Sequence, residues 1–187
     1  MLPRPARWVG RTDTQYLVTP AHYLSAAFDP LGHESVGASY DSQGRLIASS
    51  NALGSTGSFS YDLSNFTEHV ADALGNVSTM VYDANGEVVS ITNPLGQTST
   101  ATFDANNTEI SYTDALGYTT TRTVDSRGNT ITNTDPLGNT YRYTYNQYGK
   151  LLTATDPLGR TVSYVYDSHD NMTQFTNAAG ITNPGRE

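Results

Sequence analysis

Aspartate, tyrosine and histidine are the side chains of this sequence whose chemistry could build a site. The chain has 187 residues with thirteen Tyr, four His and no Cys. Recurring Asp residues could ligate calcium. A Tyr column could stack on sugar rings, and paired His could hold a metal or serve a nucleophile. Spacing argues against the catalytic and metal options. His22, His33, His69 and His169 are scattered, and neither a Gly-x-Ser-x-Gly elbow nor a His-Glu-x-x-His motif occurs. No D-x-D-x-D-G calcium loop is present, and Asp167-Ser168-His169-Asp170 is the densest acidic spot. Without cysteine there is no disulfide, thiolate nucleophile or Cys-based zinc site. These residues predict no catalytic, cofactor or metal site, and so not an enzyme.

The elements that carry the Asp and Tyr columns come from the rest of the composition. Charged residues are 15% of the chain, and Glu and Lys number only five and one. Helix-forming composition is missing, while Thr, Tyr and Val favour strands. The net charge of −8 argues against nucleic acid or an anionic membrane as partner. No run of 18 apolar residues is present, which predicts no membrane insertion by a helix. The basic start Met1-Leu2-Pro3-Arg4-Pro5-Ala6-Arg7-Trp8 has no apolar core of a secretory signal.

Internal repetition organises the chain. Asp29-Pro30-Leu31-Gly32 recurs at 51, 72, 93, 114, 135, 156 and 177, spaced by 22 residues once and then by 21. A second marker begins at Tyr40, Tyr61, Tyr82, Phe103, Val124, Tyr145 and Tyr166, always 21 apart. Both markers read as turns. Asp or Asn opens each, where its side chain can bond the backbone two residues on. Gly, Asn or Asp closes it, as a left-handed residue after a type I turn requires. The turn-forming positions are Asp72, Leu74, Gly75, Asp83 and Gly86 in the third repeat. They recur as Asp114, Leu116 and Gly117, as Asp135, Leu137 and Gly138, and as Asp156, Leu158, Gly159 and Asp167. Tyr82 and Tyr166 precede the second turn. The closers of that turn are Gly44, Asn65, Gly86, Asn107, Gly128, Gly149 and Asp170.

Each repeat therefore reads as turn, seven-residue strand, turn, six-residue strand. In the third repeat these are 72–75, 76–82, 83–86 and 87–92. The expected fold is all-β: about fourteen antiparallel strands in tandem hairpins, in a curled or spiral extended sheet. One face carries aromatic and aliphatic residues, and the other carries Thr and Ser, with Thr92, Thr113, Thr134, Thr155 and Thr176 as one ladder. Leu at the third position of seven of the eight first turns implies that this turn edge packs against something. The expected organisation is a diverged cap or arm over 1–28, seven hairpin repeats over 29–176, and a partial eighth repeat over 177–187.

Tyr82-Asp83-Ala84-Asn85-Gly86 followed by Asn93-Pro94-Leu95-Gly96, and Tyr166-Asp167 after Asp156-Pro157-Leu158-Gly159, resemble the YD repeat of Rhs proteins, bacterial Tc toxin shells and teneurins. The resemblance covers 29–180. It implies a secreted or surface-exposed β protein whose repeats build a shell or barrel. Encapsulation and self-cleavage are not carried over to seven repeats.

Three functional expectations follow. The first is an extracellular structural protein that associates with itself head to tail into a surface fibre. Its assembly edge would bring Trp8, Tyr16, Val18 and Tyr23 of one copy to Ile181 of the next. The second is a section of a toxin-encapsulating shell, and the third is a glycan-binding adhesin module. Asn65, Asn76, Asn106 and Asn171 stand in N-x-Ser/Thr sequons. Far-ultraviolet circular dichroism should show β-structure with little helix. A helical share near the globular average of about a third would overturn the repeat reading.

Overall fold

The structure is a computed structural model that describes residues 14–184 and the backbone of 7–9. Every regular element among them is a strand. The chain divides into two compact units, residues 1–84 with 90–96 and residues 85–89 with 97–187. In the first unit the strands are β1 (Arg7–Val9), β2 (Gln15–Val18), β3 (Leu24–Phe28), β4 (Glu34–Tyr40), β5 (Leu46–Asn51), β6 (Thr56–Asp62), β7 (Thr67–Ala71) and β8 (Val77–Tyr82). Each pairs antiparallel with the next. Strand β9 (Val88–Thr92) is divided between the units. The second unit holds β10 (Thr98–Phe103), β11 (Glu109–Thr113), β12 (Thr119–Val124), β13 (Thr130–Thr134), β14 (Thr140–Tyr145), β15 (Leu151–Thr155), β16 (Thr161–Tyr166), β17 (Met172–Thr176) and β18 (Thr182–Pro184). These also pair antiparallel in sequence order. The eighteen strands exceed the expected fourteen because hairpin construction reaches both flanks.

Strands begin one residue later than expected, and the reason lies in the turn. Gly75 N–H donates to Asp72 O at 3.0 Å, closing a type I turn, and Asp72 N–H donates to Asn76 O at 3.0 Å. Asn76 therefore belongs to the turn, and β8 opens at Val77. The same pair of bonds recurs from Thr19 to Asn177. The closing glycines take positive φ, +85° at Gly138, where a Cβ would meet nothing within 4 Å. A β-branched residue there meets backbone strain alone.

Within the 1–28 segment expected as a diverged cap or arm, residues 15–28 form a hairpin of the same build. Thr19 stands where Asp stands elsewhere, and its Oγ1 accepts Tyr23 N–H at 3.1 Å. His22 takes the left-handed position with φ 65°. No Tyr-Asp pair marks this turn, so the motif alone does not reveal it.

One closer differs from expectation. Asn65 is not the left-handed residue of its turn; Phe66 is, at φ 50°. This hairpin pairs Asp62 with Thr67 and Tyr61 with Glu68 without a register slip. The hairpins at Tyr40, Phe103, Val124, Tyr145 and Tyr166 slip by one residue at the aromatic position.

Those slips make the ladders oblique. Thr102, Ser111, Thr121, Thr134 and Thr140 stand opposite one another across five strands. The next such row is Thr123, Thr132, Arg142, Thr155 and Thr161. The third is Thr144, Thr153, Ser163, Thr176 and Thr182. Thr113, Thr134, Thr155 and Thr176 are thus spread one to a row rather than forming one ladder. Each repeat steps the row by two residues. Hydroxyl pairs join neighbours within the rows, including Thr134–Thr140 at 2.9 Å and Thr144–Thr153 at 2.6 Å.

The sheet has almost no interior. Among the described residues only Ala26, Ala27 and Gly37 are buried. On the aromatic face Tyr164 leans on Phe175 with ring centroids 5.3 Å apart. Gly138→Val should cost about 1–3 kcal/mol through backbone strain. Phe66→Gly should gain about 1 kcal/mol by relieving it. Both shifts are read as melting temperatures, and a Gly138→Val protein that melts like the parent would overturn the turn assignment.

Candidate functional site

The polar residues that the repeat conserves internally are concentrated at the turns, and each has a structural partner. Asp72 Oδ1 accepts Leu74 N–H at 2.8 Å and Asn76 N–H at 2.9 Å, while Oδ2 accepts Asn76 Nδ2–H at 2.8 Å. The same threefold acceptance holds at Asp125 with Arg127 and Asn129, at Asp135 with Leu137 and Asn139, and at Asp167 with His169 and Asn171. At Asp114 the two backbone bonds, from Leu116 and Tyr118, are present. Asp156 accepts Leu158 N–H and Arg160 N–H, and its Oδ2 pairs with the Arg160 guanidinium. The side-chain bond from Asn76 holds the Asp72 carboxyl below the usual carboxylate range, and Asn129 and Asn139 do the same for Asp125 and Asp135. Asn76, Asn129, Asn139 and Asn171 stand at the fifth turn position, which a four-residue reading of the turn passes over. Among the described residues no group of three or more His, Asp or Glu is placed to hold a metal ion.

The tyrosine column works at the other end of the strands. Where a ladder stops short of the turn, the last carbonyl of the neighbouring strand loses its backbone donor. Tyr40 donates its hydroxyl to Leu24 O at 2.9 Å, Tyr61 to Leu46 O at 2.7 Å and Tyr166 to Leu151 O at 3.0 Å. Val124 has no hydroxyl at the equivalent place. There Arg122 reaches over and donates to the equivalent carbonyl, Glu109 O. Tyr82 differs because its own N–H bonds Phe66 O, one step beyond the Thr67–Val81 pair of β7 and β8. Its hydroxyl donates instead to Glu68 Oε2 at 2.6 Å, and that bond pushes the phenol up to about 12.

Along this edge successive repeats are stitched together. The Tyr23 ring stacks on Tyr40 with centroids 5.0 Å apart, and a Cβ on Gly44 would stand 2.4 Å from Tyr23 Oη. The equivalent Arg45 lies 5.5 Å over the Tyr61 ring. Arg127 donates to Gln147 O one repeat on.

The opposite edge is bare. Each leucine N–H bonds the Oδ1 of the Asp or Asn that opens its turn, but the side chains point outward. Leu31, Leu53, Leu74, Leu95, Leu116, Leu137 and Leu158 are 74–90% exposed. Within each unit the chain supplies nothing to cover them.

Of the residues expected at an assembly edge, four belong to the first strands and turn of the first unit and one to the last turn of the second. Tyr16 and Val18 lie in β2, between β1 and β3. Tyr23 is held in its turn by Thr19 and Tyr40. Ile181 sits in the last turn, its N–H on Asn177 Oδ1 at 3.0 Å. The backbone of Trp8 pairs with Tyr16 in β1, and its side chain lies outside the described residues.

A hairpin array of this build defines a YD-type repeat protein. The model of the Teneurin YD-shell family matches residues 31–182, and the chain belongs to that family. No curated protein matches it. Solved structures with some likeness include TcdB2-TccC3-Cdc42, at 13% identity and a TM-score of 0.31 over 88% of this chain and 14% of that one. The Tc holotoxin pore of Photorhabdus luminescens gives 13% identity and 0.31 over the same shares. A porin-like protein from Bacteroides uniformis gives 13% and 0.30, over 87% of this chain and 80% of that one. This chain thus spans about a seventh of the toxin chains it resembles.

Two measurements follow from the turn and strand-end bonds. Tyr166→Phe leaves Leu151 O without its side-chain donor and should cost about 0.5–1.5 kcal/mol in a urea titration. The carboxyls of Asp72, Asp125, Asp135, Asp156 and Asp167 titrate below an ordinary Asp, whose value is about 3.9. Their contribution to stability is therefore fully present above that value and is lost as pH falls through the lower folded values. The melting temperature should fall below about pH 4. Replacing Asp72, Asp125 and Asp135 together by Asn should flatten that fall.

Proposed function

We propose that the chain is a structural wall segment of the YD-shell kind, working outside the cell, and not a catalyst. The observation that carries this reading is the use of the repeated polar residues. The Asp side chains described above hold turns, and the Tyr hydroxyls close strand ends or bond Glu68. The family match over 31–182 supports the same reading and its extracellular setting. Stability in such an array is a sum of repeat and nearest-neighbour terms. Self-association is the partner reading, as a wall strip or as a head-to-tail fibre.

One observation favours glycan binding as a second reading. Tyr23, Tyr40, Asp41 and Gln43 line a cleft with Thr19 and Pro20. The two rings already stack on each other, and Asp41 is engaged by Arg45 at 2.6 Å, which leaves the wall reading ahead.

A glycan array and a truncation series separate the two. The wall reading expects no selective glycan binding and an unfolding free energy that falls stepwise as whole repeats are removed. Selective binding that Tyr23→Ala and Tyr40→Ala abolish would replace it with the adhesin reading. Negative-stain microscopy of the concentrated chain should show strips or fibres in place of monodisperse particles.

A further inference from the structure

The two turn edges of each unit differ in a way the turn does not explain. At the third turn position, the hydrogen-bonding role belongs to the backbone N–H alone, as Leu74 and Leu137 show. Any side chain satisfies it. On the Tyr-Asp edge the same position holds Gln43, Ser64, Asn85, Asn106, Arg127, Tyr148 and His169. On the other edge it holds Leu in all seven turns from 31 to 158, and those side chains are among the most exposed in the chain. A row of exposed leucines without an internal contact marks an interaction surface.

The geometry of the row names its occupant. Consecutive leucines stand two strands apart, about 9.6 Å. The glycine beside each leaves open space: a Cβ at Gly75, Gly96, Gly117, Gly138 or Gly159 would meet nothing within 4 Å. A gap of about 9.6 Å takes one aliphatic side chain, which then lies about 4–5 Å from each neighbour, at apolar contact distance. An occupant that fills successive gaps must present apolar groups at the same two-strand period. The row itself has that period.

We propose that the Asp-Pro-Leu-Gly turn row of each unit is a self-docking edge, on which the same row of a second copy of this chain seats by interdigitation of the leucines. The contact is isologous, the same patch on both copies. Each leucine offers about 60–120 Å² of apolar surface. Three or four per unit on each copy then bury about 400–1,000 Å², under the roughly 1,200 Å² of a stable interface. One unit's row alone therefore docks weakly and reversibly, and the strength of a larger assembly comes from the number of rows engaged. This inference rests on exposure and period and does not depend on the wall reading.

The test is sedimentation velocity of the full chain from micromolar to millimolar concentration. The parent should pass from monomer to dimer as concentration rises. A variant carrying L31S, L53S, L74S, L116S, L137S and L158S should weaken the association at least about tenfold. Its circular dichroism and melting temperature should match the parent, because these side chains are 74–90% exposed. L63S with Y148S, exposed residues of the opposite edge, should leave association unchanged. A parent that stays monomeric throughout overturns the proposal, as does a leucine variant that associates like the parent through its strand edges. A monomeric parent would also remove the strips or fibres expected of the wall reading, whose remaining claims the glycan array and the truncation series test separately.

Discussion

One carboxylate oxygen accepting two backbone N–H groups is the interaction on which the rest of this protein depends. The Oδ1 of Asp72, Asp125, Asp135 or Asp167 takes the N–H of the third and fifth turn residues together. That double bond selects a type I turn followed by a left-handed residue, and so a hairpin with a bulge. Asn serves equally at Asn51, Asn146 and Asn177, because its Oδ1 offers the same lone pairs. The charge of Asp adds the bond to the fifth side chain, and hence the depressed carboxyls.

The turn chemistry also governs the sheet. A bulge at the aromatic position shifts the register in the hairpins of the second unit, so hydroxyl rows cross the strands obliquely, two residues per repeat. The rows hold through Thr–Thr hydroxyl pairs on one face, and the aromatic face adds contacts such as Tyr164 on Phe175. Very little of this is burial, since Ala26, Ala27 and Gly37 are the buried residues of the described chain. The fold therefore leans on hydrogen bonds between adjacent strands, each a small net term, accumulated along a repetitive chain.

Where the pattern breaks, the substitution shows what the pattern was for. Val124 removes a hydroxyl, and Arg122 restores a donor to the carbonyl that needs one. The hairpin at Phe66 loses its bulge, its ladder runs one bond further to Tyr82 N–H, and Tyr82 turns to Glu68. Thr19 loses the carboxylate, and its hydroxyl still accepts Tyr23 N–H. The requirement at each place is a donor or an acceptor in a given position, and several residue types meet it.

The sequence by itself determined the period, the hairpins, the turn type and the two-faced strands. Those rest on local chemistry: an Asx side chain, a residue that tolerates positive φ, and alternation along a strand. It also displayed the Leu column as a feature no turn requires. Only the tertiary structure decided which carbonyl each tyrosine closes, because Tyr166 and Leu151 meet through the register of two strands and not through spacing. It alone showed that Phe66, and not Asn65, takes the left-handed position, since that choice depends on whether Tyr61 and Glu68 pair without a bulge. It likewise split the threonines of one sequence column into separate rows, because the step of two residues accumulates from bulges that no single repeat reveals.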